Sequence, residues 1–324
     1  MRKIIIDTDP GIDDAYAILA ALLNPELEIL GITCVSGNKT IDAVVANALR
    51  LKKFTQSNVK VYKGALTNLR NLANNTIEPM QASKVHGGDG LGNVDLPYDI
   101  SDLESESAVD FILNTIAKYP NEVEILALGP LTNIALCVQK DLAITSKLKA
   151  IYTMGGGIDR GNITPYAEYN YYFDELATAT VFKNLQENVV IHMIGLNATH
   201  STRVDHNDLA FMLYEGNDLG KLIFDMTQVY ATMYYKNNGY LGAVIHDIVA
   251  YLYMIDPSIA TNVIDDVYIE VMCDLTHKGQ TKIISNKKAK VQVVMSCDRK
   301  DVAIATIKAL LPTKIDRYLE AITK

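Results

Sequence analysis

The chain has no tryptophan, and its four cysteines, Cys34, Cys137, Cys273 and Cys297, lie far apart with no CxxC spacing. That pattern argues against a disulfide framework and a zinc site, and it leads us to expect reduced thiols in a cytoplasmic protein. No apolar stretch approaches the ~18 residues of a membrane span. The N-terminal MRKIIID reaches Asp7 after only three isoleucines, too short for a signal-peptide core. Neither secretion nor membrane insertion is expected. Positive charge is also scarce: 30 Lys and Arg stand against 38 Asp and Glu, a net −8 with no basic cluster. Nothing here would release counterions from a phosphate backbone, so the expected partner is a small molecule rather than a nucleic acid.

What is present is 324 residues, 49% hydrophobic and 21% charged, the balance of a globular chain able to bury a full core. Short β-branched runs alternate with helix-period segments along the whole length. KIIIDT, LEILGITCV, VKVY, VEILAL, LKAIYTM, NVVIHMIGL, DVYIEVM and KVQVVM read as strands, most of them continuously apolar, as strands covered on both faces are. Between them, residues 14–23, 41–54, 106–119, 132–138, 174–185 and 302–311 carry helical periodicity. The reading is one α/β domain over 1–324: an open, doubly wound, mostly parallel sheet of about eight strands with a Rossmann-like core. Two stretches interrupt the rhythm. Residues 64–101 lack periodicity and contain HGGDGLGN, which suggests a lid. Residues 199–257 read as a helical insertion.

In an open parallel sheet, ligands bind beyond the carboxyl ends of the strands, so the residues that directly follow strands carry the information. The first strand ends in Asp7-Thr8-Asp9-Pro10-Gly11-Ile12-Asp13-Asp14, four carboxylates within eight residues. Either Asp13 or Asp14 alone could serve a helix N-terminus, but four converging carboxylates repel unless a cation balances them. Oxygen donors without nearby His or Cys suit Ca²⁺ or Mg²⁺, and Ca²⁺ accepts irregular carboxylate geometry more readily. Other strand ends add Asn38 after Ser36-Gly37, the Leu128-Gly129-Pro130 bend, Met154 before a glycine triplet, and Asn162, Glu168 and Asn170 beyond it. Together these can hold several hydroxyls, as a sugar demands. Thr132 is expected to cap its helix. His246-Asp247 opens an apolar helix and supplies a distal carboxylate; Tyr230, Tyr234 and Asn238 share one helical face and could wall an aromatic ligand or pack in the core. His192, His200, His206 and His277 receive no role.

DTDPGIDDA at 7–15, with GNKT at 37–40, GPLTN at 129–133, GGG at 155–157, GN…AEYN at 161–170 and HD at 246–247, resembles the nucleoside hydrolase family over nearly the whole chain. It is also similar to the branch with a lid histidine, here His86, which includes pyrimidine-preferring ribonucleoside hydrolases. The resemblance implies one Ca²⁺ per subunit, held by Asp9, Asp14, Asp247 and the Leu128 carbonyl, with Asp9 also taking the proton of the attacking water. It implies that Asp13, Asn38, Met154, Asn162, Glu168 and Asn170 bind the sugar. His86 and His246 would flank the base, His246 as leaving-group acid, and Tyr234 and Asn238 would line the base pocket. The implied setting is nucleoside salvage by a cytoplasmic homo-oligomer, a tetramer or dimer. The segment after Asn170, YYFDELAT, departs from the family's DPEAA-like run.

Two other readings compete. Asp7-x-Asp9 after a first strand is similar to the nucleophile loop of haloacid-dehalogenase-type phosphohydrolases, with Asp265-Asp266 as a distal acidic pair. A non-catalytic Ca²⁺-dependent riboside-binding protein would use the same carboxylates and hydroxyl-binding amides.

Overall fold

A computed structural model describes residues 1–76 and 84–323. Its strands are β1 (Arg2–Thr8), β2 (Leu27–Cys34), β3 (Val61–Lys63), β4 (Leu103–Glu104), β5 (Val123–Ala127), β6 (Ala150–Met154), β7 (Val190–Ile194), β8 (Val204–Asp205), β9 (Gly242–Ala243), β10 (Ala260–Val271), β11 (Thr281–Ile284) and β12 (Val291–Cys297). Ten of them form one sheet in the order β11-β10-β12-β7-β6-β5-β1-β2-β3-β4, and β8 and β9 make a separate ribbon. All pairings in the large sheet are parallel except those of β10, which runs antiparallel to β11 and β12.

The isoleucine run of β1 explains the two-sided covering. Side chains alternate across a strand, so Ile4 and Ile6 enter one apolar layer, with the helices Ile12–Leu23, Ile41–Phe54 and His246–Ile255. Ile5 enters the opposite layer, with Ala108–Lys118, Thr132–Lys140 and Glu175–Leu185. A strand buried on both faces has no solvent side to keep polar, which is why it reads as a continuous apolar run.

Sheet order fixes where a ligand can sit. From β1 the chain winds outward through β2, β3 and β4, then returns to place β5 on the other flank of β1. The reversal leaves a crevice beyond the carboxyl ends of β1 and β5. The Asp7–Asp14 and Leu128–Pro130 segments both open onto it.

The expected helices are present within a few residues of their expected ends, and eight strands become ten through two additions at the edges. β4 has two residues, too few to show a pattern. β11 pairs antiparallel with β10 at the outer edge, and β10 starts at Ala260 rather than Asp266, with irregular register and Asp266 at φ 55°. The insertion holds His206–Glu215, Asn217–Asn238 and the β8–β9 ribbon. Of the expected lid, residues 77–83 lie outside the described residues; the remainder includes the short helix Leu69–Ala73 and a single turn ending at His86. Among the described residues no helix is long and apolar enough to cross a membrane.

Candidate active site

The β1 loop turns its carboxylates inward. Asp7, Asp9 and Asp14 are fully buried and Asp13 nearly so. Asp14 sits in the first turn of Ile12–Leu23, where Thr8 Oγ1 donates to its Oδ1 at 2.5 Å and the Gly11 N–H donates to its Oδ2 at 2.9 Å. Asn38, after β2, gives its N–H to Asp9 Oδ2 at 2.5 Å, and its side-chain amide to the Asp9 carbonyl and to Asp14 Oδ2, both at 3.2 Å. Gly37 and Gly129 crowd the Asp9 carboxylate so closely that a Cβ on either would collide with it. Asp7 serves the scaffold instead: its Oδ1 accepts from Thr33 at 2.6 Å and from Asn133 at 2.8 Å.

Asp247 arrives from the first turn of His246–Ile255, and one oxygen each from Asp13, Asp14 and Asp247 lie within 4.8 Å of one another. Oδ1 of Asp9, of Asp13 and of Asp247 is buried without a hydrogen-bond partner. Burial, and then repulsion by Asp14, raises Asp9 well above the ordinary carboxylate range and Asp13 to about 8. Asp247 is raised by burial and then by Asp13. Orphaned buried acceptors of one sign are costly on their own. Hard oxygens in this number fit a divalent cation such as Ca²⁺. Asp14 and Asp247 belong both to the expected ligand set and to the observed cluster. Asp9 flanks that cluster with its free Oδ1, and Asp13, expected on the sugar, stands within it.

Two of the expected sugar-binding side chains, Asn170 and Glu168, knit the crevice together. Asn170 donates to the Leu128 carbonyl at 2.8 Å and to the Met154 carbonyl at 3.2 Å. Glu168 caps the helix Tyr169–Phe173, accepting from the Asn170 and Tyr171 N–H groups, and also accepts from the Gly156 N–H at 2.9 Å. Burial lifts it to about 7. The Leu128 carbonyl thus already holds one donor. Asn162 is exposed, its N–H bonded to the Ala167 carbonyl, and Asn238 is exposed at the last turn of its helix; both lie outside the buried cluster. Thr132 does not cap its helix: its hydroxyl donates to Asp174 at 2.7 Å, because Asp174 faces it across the packed helices.

On the other side of the cluster stand the histidines and tyrosines. His86 is buried, with its Nδ1 accepting the Ile12 N–H at 3.2 Å and lying 3.7 Å from Asp13. His246 is held at both nitrogens, Nδ1 2.7 Å from Thr199 Oγ1 and Nε2 3.1 Å from the Tyr234 hydroxyl. Burial pushes both imidazoles down to about 3. Tyr230 lies 5.3 Å from His86 and 5.0 Å from Tyr234, and Tyr240 stacks on Tyr234 at 6.2 Å. His200, given no role from sequence, lies 5.5 Å from His246. Only the fold reveals such a neighbour, since His200 and His246 come from different elements.

The crevice therefore has a carboxylate floor, amide and backbone groups around it, and an aromatic and histidine wall. Asp265 and Asp266 are exposed on β10, and Asp7 is sealed under Thr33 and Asn133, so the phosphohydrolase arrangement is not formed.

Residues 4–303 match the family described as inosine-uridine preferring nucleoside hydrolase. The chain is 40% identical over 265 residues to uridine nucleosidase 1 of Arabidopsis thaliana, covering 80% of this chain and 76% of that one. It is 34% identical over 271 residues to the pyrimidine-specific ribonucleoside hydrolase RihB of Escherichia coli O157:H7, covering 83% of each. Among solved structures, the plant nucleoside hydrolase PpNRh1 superposes with a TM-score of 0.88 at 32% identity, over 95% of this chain and 98% of that one.

Proposed function

The chain belongs to the inosine-uridine preferring nucleoside hydrolase family, and from that premise we propose that it cleaves pyrimidine ribonucleosides, alone or alongside inosine, at a Ca²⁺ site on the carboxyl ends of β1 and β5. It is an N-ribohydrolase: ribonucleoside and water give ribose and free base. The observation that carries the metal reading is the set of partnerless buried oxygens on Asp9, Asp13 and Asp247, gathered where the sheet order reverses.

Cleaving this bond passes through an oxocarbenium-like sugar, so the site must place water beneath C1′, balance positive charge, and release the base. A bound Ca²⁺ would supply the charge that orients water and the sugar's 2′- and 3′-hydroxyls. Asp9, Asp14, Asp247 and the Leu128 carbonyl would hold it. Asp9, with Oδ2 fixed by the Asn38 N–H, presents Oδ1 as the base that takes the water's proton. Asp13, Asn38, Met154, Asn162, Glu168 and Asn170 would hold the ribose. His246 would serve as leaving-group acid through the one N–H that its neutral, buried ring keeps, with His86, Tyr234 and Asn238 bordering the base. The proposed setting is salvage in the cytoplasm by a homotetramer or homodimer, and the four free thiols support a reducing compartment.

The test is reducing-sugar release from uridine, cytidine, inosine and adenosine, with p-nitrophenyl phosphate alongside. Uridine and cytidine should be turned over fastest and the phosphate ester not at all. Silence on all four nucleosides would refute the reading, and a preference for adenosine would refute its base assignment.

A further inference from the structure

His86 reaches the carboxylate floor on a segment that carries little regular structure of its own, so something else must hold it there. The helix Ile41–Phe54 does this with two side chains one turn apart. Asn47, fully buried, donates from its amide to the Pro10 carbonyl at 3.0 Å and to the Asp89 carbonyl at 2.9 Å. Pro10 adjoins Asp9, and Asp89 follows His86 by three residues. One amide thus ties the loop of the proposed base to the segment of the histidine. Arg50 completes the clasp: its guanidinium donates to Asn47 Oδ1 at 2.7 Å and to the Leu96 carbonyl at 3.2 Å, and lies 5.1 Å above the Tyr98 ring. Gly90 adopts φ +94°, and a Cβ there would stand 2.7 Å from the Asn47 amide. The segment is shaped to bring its carbonyl to this one side chain.

Resting on the reading of His86 as part of the base-side wall, we infer that Asn47 is a positioning residue for the reaction, fixing His86 against the β1 loop. Residues 86–98 are then a clasped wall rather than a lid. With Asn47 truncated, the Pro10 and Asp89 carbonyls lose this donor, and His86, still tethered through the Lys39 bond to the Gly87 carbonyl at 2.7 Å, is held less firmly against the Ile12 N–H. Small displacements of positioning groups are costly in rate, up to about 10²-fold for ~1 Å.

The experiment is a double-mutant cycle on uridine hydrolysis with Asn47→Ala and His86→Ala in the full chain. Asn47→Ala should lower kcat/KM by about tenfold or more in the wild-type background, and by less than about twofold once His86 is already alanine. A loss of equal size in both backgrounds, the result of a merely structural role, would overturn the inference. Arg50→Ala, which removes only the outer half of the clasp, should show the same non-additivity with a smaller loss, and stands in if Asn47→Ala does not fold. If His86→Ala leaves no turnover to measure, the ¹⁵N resonance of His86 Nδ1 decides: it should shift in Asn47→Ala, and an unmoved resonance overturns the proposal. A wild-type protein inactive on every nucleoside would strike the functional reading, whereas additive losses in an active protein would strike only the role of Asn47.

Discussion

At the scale of single residues, the proposed chemistry turns on Asp9. Its two oxygens have different fates: Oδ2 is bound by the Asn38 N–H at 2.5 Å and Oδ1 is left without a partner. A group so arranged has one oxygen for position and one for chemistry. Asp9→Ala should abolish ribose release, a loss of at least about 10²-fold for a general base. Undiminished turnover in a folded Asp9→Ala protein would remove Asp9 from the mechanism. The carboxylates were legible in the sequence because charge is expensive to bury, and four acids at one strand end demand an explanation. Asn47, Thr199, His200 and Tyr240 were not legible. A buried Asn in an apolar helix and a His after a short turn carry no local signal, since their partners come from distant segments.

At the scale of elements, the helices and inner strands were readable because burial on both faces or on one stripe imposes a period on the sequence. Parts of the edges escaped: β4 is too short for a pattern, and β11 and the first residues of β10 lie in an antiparallel margin where side chains are mostly half-buried or exposed. The amino ends of the inner strands, opposite the crevice, carry a different arrangement. Glu124 at the start of β5 is almost fully buried beside Arg2 of β1 and accepts from Lys149 at 2.8 Å; Arg2 also bonds the Met254 carbonyl at the end of His246–Ile255. Although burial alone would raise its pKa, bonding to Arg2 and then Lys149 holds the Glu124 carboxyl below its ordinary range. A depressed folded-state pKa stabilises the fold at pH values above the unfolded one, and that contribution is lost as pH falls through the folded value. Glu124→Gln should therefore lower the melting temperature at pH 7 by about 2–6 °C, and the gap should close as the pH drops below the usual carboxylate range. A gap of constant size across that range would contradict the ion-pair explanation.

At the scale of the whole molecule, sheet order, charge and chemistry converge on one place. The chain reverses direction about β1, which makes the β1–β5 crevice the natural ligand site. The loops that open there supply acids from two separated segments, Asp9, Asp13 and Asp14 from the β1 loop and Asp247 from the far end of the insertion, with Asn38 and Leu128 beside them. Several of the chain's acids are thus gathered in the core, where burial raises their pKa values and a bound cation would balance their charge. The most direct test is uridine hydrolysis by protein stripped of metal with a chelator, verified by elemental analysis, and then given Ca²⁺. The account predicts that ribose release is lost on stripping and restored by the ion; full activity in the metal-free protein would contradict it.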